Sequence, residues 1–292
     1  MARTIYLDHA ATTPLDPRVL EAMLPFFSEQ FGNPSSVYGI GRDARKALDD
    51  ARQTVAECLH ASPQEIVFTA SGTEADNLAI KGVAQALLVE GKGNHIITSQ
   101  VEHHAVLHAC EALERSEFEV TYLPVDSMGL VHPEALQAAM RPTTILVSIM
   151  YANNEVGTIE PLQDLAAVAR AHGVHFHSDA VQAPASCSLD VDELGVDLLS
   201  LSAHKFHGPK GVGVLYVRRG VPLYSQIQGG GQERRRRAGT ENVAGIVGLA
   251  TALRLVQEGR GSYRAHCEPL RDRLIQGVLE AIPFVQLTGH PT

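Results

Sequence analysis

Tryptophan is absent from the 292 residues, and the aromatic content is only 5%. Together with a formal net charge of −9, this leaves no broad footprint for a nucleic-acid backbone and excludes nucleic acid as a general partner. Apolar runs fall well short of the ~20 residues that span a bilayer, and residues 1–9 lack the long apolar segment of a secretory signal. The expected location is the cytoplasm, with no membrane partner. Cysteine is scarce: Cys58, Cys110, Cys187 and Cys267 are far apart and form no CxxC pair. Neither a zinc site nor a disulfide framework is indicated, no metal is expected, and each thiol is read as a small buried hydrophobe.

What is present suits a globular protein with a substantial core, since 45% of residues are hydrophobic and 20% charged. Asp16-Pro17 reads as an N-cap followed by a first-turn proline, with Val19, Leu20, Met23 and Leu24 at helical spacing. A second helix is expected over about 42–59, with Ala44, Leu48, Ala51, Val55 and Leu59 on one face. Short apolar runs follow at 65–69, 95–98, 119–123, 144–150, 174–178, 197–201 and 213–217, most separated by segments of helical period. That order predicts an α/β fold, a mostly parallel sheet with helices on both faces. Ligands in such sheets bind beyond the carboxyl ends of the strands. Two long helices are expected over 241–256 and 262–281, broken at Gly259-Arg260-Gly261, and then a strand over 284–288. A lone strand has no local partner, so the chain is expected to end inside a second domain.

The residues after the strands carry the chemistry. Ser202-Ala203-His204-Lys205 takes an apolar run into a lysine, which can form a Schiff base with an aldehyde cofactor. An isolated lysine there is usually a solvated loop residue, so its companions decide. Ser178-Asp179-Ala180-Val181-Gln182 ends another strand in a carboxylate. Pyridoxal phosphate is an electron sink only while its ring nitrogen stays protonated, a state that Asp179 suits, and Gln182 can donate to the ring hydroxyl oxygen. The bland role of Asp179 is a cap or turn. Ser71-Gly72-Thr73 opens a helix, where free N–H groups at Gly72 and Thr73 can cradle a phosphate or form an ordinary cap. His103 can stack on an aromatic ring and shuttle protons, whereas His104 reads as a surface or capping residue. Asn154 can reach cofactor or substrate carboxylate, although Asx turns commonly use such asparagines. In the stretch from Gly229 to Asn242, four consecutive arginines rank first as a solvated or interface face, with anion binding by Thr240 and its neighbours second.

Taken in this order, the motifs resemble the class V group of fold-type I pyridoxal-phosphate enzymes, and more narrowly the cysteine desulfurases of iron–sulfur cluster assembly. The resembling stretches are 6–14, 31–36, 71–77, Glu102-His103-His104, 153–157, 178–182, 202–205 and 229–240. The resemblance implies a large cofactor-binding domain (16–258), an incomplete small α/β domain (1–15 and 259–292), and a homodimer with sites at the subunit interface. It implies that Lys205 holds the cofactor, His103 stacks on it, and Asp179 and Gln182 hold the ring nitrogen and hydroxyl. Thr73, Ser202 and His204 match phosphate-binding positions, and Thr240 matches a residue that reaches the neighbouring subunit's phosphate. The implied reaction converts L-cysteine to L-alanine and an enzyme persulfide, which serves a sulfur-accepting scaffold or carrier protein. The family's nucleophilic cysteine and its carboxylate-binding arginine lie in a C-terminal part beyond Thr292, and none of the four cysteines here occupies that loop. The alternatives are another class V enzyme, an aminotransferase or a cystine or selenocysteine lyase, and a non-catalytic cofactor-binding chain.

Overall fold

The structure, a computed structural model, describes residues 5–291; positions 1–4 and 292 of the expected small domain lie outside them. In chain order its helices are α1 (Pro17–Met23), α2 (Pro25–Ser28), α3 (Gly39–Leu59), α4 (Gly72–Val89), α5 (His104–Glu114), α6 (Pro133–Ala139), α7 (Leu162–Ala171), α8 (Val191–Leu194) and α9 (Val243–Ala281). The strands are β1 (Ile66–Thr69), β2 (His95–Ser99), β3 (Glu119–Leu123), β4 (Thr144–Ser148), β5 (His175–Asp179), β6 (Leu198–Ser202) and β7 (Gly213–Val217). Each strand falls on an apolar run of the sequence, within a residue or two of the expected bounds.

All seven strands form one sheet, in the order β1-β7-β6-β5-β4-β2-β3. The pairings from β3 to β6 are parallel, and β7 alone runs against both of its neighbours. Six strands therefore deliver their carboxyl ends to the same edge. Alternate side chains feed two cores: Phe68, Val147, Phe176, Leu199 and Tyr216 pack on one face, Val67, Leu146, Leu198 and Leu215 on the other. The first core is closed by α3, α7 and the first turns of α9, the second by α4 and α5. Each fully buried side chain of this size stabilises the fold by about 1.5–3 kcal/mol. The expected apolar face of α3, Ala44, Leu48, Ala51, Val55 and Leu59, is buried along its whole length.

The expectations for the last fifty residues need correction. α9 runs unbroken through Gly259-Arg260-Gly261, where two helices were expected. Glycine costs a helix interior only about 1 kcal/mol relative to alanine, which the turns on either side outweigh. Asn242 caps α9, accepting the Gly245 N–H at 3.0 Å. Residues 285–288 are irregular rather than a strand. A strand exists only when a neighbour completes its ladder, and the seven described strands pair among themselves.

Candidate active site

β6 ends in Ser202, and the chain turns at once through a single 3₁₀ turn, Ala203–Lys205. This projects Lys205 over the carboxyl edge of the sheet. The stretch from Ala10 to Pro14 lies across the turn: Thr13 N–H donates to the His204 carbonyl at 2.9 Å, and Thr12 Oγ1 stands 3.1 Å from His204 Nδ1. Lys205 Nζ donates to the carbonyls of Ala10 and, at 3.1 Å, Ala11. Half-burial lowers the lysine pKa, while Asp179 and Asp8 oppose that shift. The result is an amine closer to its neutral, nucleophilic form than a surface lysine.

Asp179 ends β5, the strand next to β6, and is 5% exposed. Its Oδ1 accepts the Val181 N–H at 2.9 Å. Burial raises its pKa, while that backbone bond and the nearby His103 and Lys205 favour the charged form. Gln182, one turn further on, donates Nε2 to the Ala10 carbonyl at 2.9 Å. Lysine and glutamine thus converge on one acceptor.

The phosphate-type cradle depends on two close approaches. A Cβ on Gly213 would stand 2.6 Å from the Ser71 carbonyl carbon and 2.8 Å from the Leu201 carbonyl oxygen. Only glycine lets the turn after β1 close against the start of β7. A Cβ on Gly72 would stand 2.8 Å from Val181 and 3.2 Å from Ser202. Ser71 caps α4 by accepting the Glu74 N–H at 3.1 Å, and its carbonyl takes the Ala75 N–H. The N–H groups of Gly72 and Thr73 have no acceptor among the described residues. They head an 18-residue helix whose dipole favours an anion there.

His103 caps α5, and its Nδ1 accepts the Ala105 N–H at 3.1 Å, which leaves the ring proton on Nε2. Asn154 bonds Glu155 at 2.9 Å, whereas the Asx turn belongs to its neighbour Asn153, whose Oδ1 takes the N–H groups of Glu155 and Val156.

These pieces enclose one cavity of about 500 Å³. Gly72, Thr73 and His103 line it, as do Asn154, Asp179, Gln182, Ser202, His204 and Lys205. Thr240 does not; it borders a cleft of about 110 Å³ beside Arg237 and Glu241. Asp8 and Asp76 also line the cavity, and the sequence reading gave neither a role. Asp76 sits one helical turn after Gly72, a spacing that places it on the same side of α4 as the cavity. None of the four thiols lines this cavity. Burial lifts Cys58 to about 11 and Cys110 to about 12 and also raises Cys187; Cys187 and Cys267 border an adjoining hollow of about 780 Å³.

A largely parallel sheet with a lysine, a carboxylate and a helix N-terminus converging at its carboxyl edge defines a fold-type I pyridoxal-phosphate enzyme. Residues 5–292 match the family model for class-V aminotransferases, and the chain belongs to that family, whose members depend on pyridoxal phosphate. The cysteine desulfurase IscS of Dictyoglomus turgidum is 54% identical over 289 residues, 99% of this chain and 73% of that protein. IscS of Methanosarcina thermophila is 53% identical over 290 residues, covering 99% and 71%. Among solved structures, a NifS-like protein superposes with a TM-score of 0.92 at 45% identity over 94% of this chain and 76% of that one. DndA from Streptomyces lividans gives 0.86 at 38% identity over 98% and 80%. Among the described residues no helix is long and apolar enough to cross a membrane.

Proposed function

We propose that this chain binds pyridoxal 5′-phosphate on Lys205 and acts as a cysteine desulfurase, taking sulfur from L-cysteine and releasing L-alanine. The observation that carries this is Lys205 and Asp179 on adjacent strand ends, facing one cavity with the free N–H groups of Gly72 and Thr73. Identity above 50% to desulfurases over nearly the whole chain supports the substrate.

When bound, the cofactor supplies an aldehyde for the lysine amine and a cationic ring that draws electrons from the substrate Cα. The residues divide the remaining work. Asp179 would hold the ring N–H, and Gln182, which now donates to the Ala10 carbonyl, would donate to the ring hydroxyl. Gly72, Thr73, Ser202 and His204 would take the phosphate, His103 would cover the ring, and Asn154 would serve the substrate side of the cavity. Lys205 Nζ, its pKa lowered by half-burial, would serve as the base that takes the substrate Cα proton. The cysteine C–S bond then breaks, sulfur joins a thiol to form a persulfide, and Cβ gains a proton to complete alanine. Since no described thiol lines the cavity, that thiol has to be brought to it.

We also assign the chain to a homodimer and the persulfide to a sulfur-accepting carrier or scaffold. Large apolar side chains exposed between 24 and 40 support the first: Phe27 is 62% exposed, Phe31 65% and Val37 87%. Loaded protein given L-cysteine and dithiothreitol should yield alanine and sulfide in equal amounts. Pyruvate and ammonia in their place would overturn the assignment in favour of a lyase.

A further inference from the structure

The floor of the cavity holds more carboxyl groups than ring binding uses. Asp76, on α4, is 1% exposed and lines the same cavity as Asp179, yet its Oδ1 has no hydrogen-bond partner. The nearest base, His177 Nε2, is 3.7 Å away. Both ring nitrogens of that histidine are engaged, with Ser148 Oγ at 2.8 Å and Ser200 Oγ at 3.0 Å. Burial drives its pKa down to about 3, so β5 brings no positive charge to Asp76.

The other groups facing Asp76 are Asp179 at the end of β5, Glu102 beyond β2, and the Ser200 hydroxyl on β6. Glu102 accepts from Ser99 Oγ at 2.7 Å and from the Met150 N–H at 2.9 Å, while burial raises it to about 8. Burial and then Asp179 hold the Asp76 carboxyl well above the usual range. Among the described residues, the groups that favour the charged form of Asp179 from the cavity side are His103 and Lys205. Three buried carboxyl groups in mutual reach cannot all be ionised without such a cation.

We propose that Asp76 is a positioning residue acting through Asp179: it keeps a proton in the free protein and releases it when a cationic ring docks above, adding a second negative charge beneath that ring. The proposal rests on this cavity being the cofactor site. Ring binding is then linked to proton release from the floor, and affinity rises with pH.

Pyridoxine 5′-phosphate, which has the ring and phosphate but no aldehyde, isolates this linkage from Lys205 chemistry. Calorimetric titration of the apoprotein in two buffers of different ionisation enthalpy counts the protons released. Wild type is expected to release about one proton more per site than Asp76→Asn, whose affinity should rise less steeply with pH by up to about tenfold per pH unit. An equal proton count in the two proteins overturns the proposal. Failure of wild type to bind either pyridoxine phosphate or pyridoxal phosphate overturns the cofactor reading instead.

Melting of the apoproteins supplies a second readout. A carboxyl whose folded pKa is raised costs nothing below the ordinary carboxylate range, and its stability cost grows as pH rises toward the folded value. Asp76→Asn is therefore expected to melt higher than wild type at pH 8, with the gap narrowing toward pH 5. A gap that is constant with pH would mean that Asp76 carries no proton to lose.

Discussion

Lys205 and Gln182 share the Ala10 carbonyl, so two groups proposed to bind the cofactor are held on one acceptor at the cavity. The cradle opposite has no such slack. At Gly72, a methyl group would meet Val181 and Ser202 well inside contact distance, and overpacking of that kind costs about 1–3 kcal/mol. Gly72→Ala should weaken pyridoxal phosphate binding about tenfold or more, measured by absorbance titration of the apoprotein, with the folded CD spectrum kept. Unchanged affinity would show that the phosphate does not sit at this turn. Asp179 was legible at this scale because it ends an apolar run; Asp76 was not, because its importance comes from its neighbours Asp179, Glu102 and His177, which lie on other elements.

At the scale of elements, the seven strands were legible because β-branched apolar runs of four to seven residues have few other uses. The reversed direction of β7 was not, since its composition matches that of its parallel neighbours and only Gly213, where the turn after β1 closes in, marks it out. α9 misled for the opposite reason: Gly259 and Gly261 read as a break, yet both lie inside a continuous helix, and a methyl group added at either would meet no atom within 4 Å. Gly259→Ala should therefore stabilise the protein by about 1 kcal/mol and raise Tm by about 2 °C in thermal unfolding. A loss of stability would place a turn there after all. The arginine stretch is built differently. Glu233, Arg234 and Arg235 all have positive φ, from 41° to 65°, a strained run held by the buried Arg52–Glu233 pair at 2.6 Å and by the Phe68 N–H at 2.8 Å. Arg237 ties the same loop to Glu74 at 2.7 Å, in the first turn of the cradle helix. Composition alone put these arginines on a solvated or interface face, because the pairing of Arg52 with Glu233 spans 181 residues.

For the whole molecule, the position of Thr240 matters most. It stands apart from its own chain's cavity, so a role at a phosphate needs a second copy, and the exposed apolar residues between 24 and 40 provide a surface for one. The central claim is simpler and concerns a single chain: the cavity at the carboxyl edge of the sheet is a pyridoxal-phosphate site anchored by Lys205. The direct test is to add pyridoxal phosphate to the purified protein, reduce with borohydride, digest, and locate the modified peptide by mass. The expected result is one cofactor per chain, fixed on Lys205, and none in Lys205→Ala. A protein that stays colourless, or a label spread over surface lysines and unchanged in the variant, would contradict it.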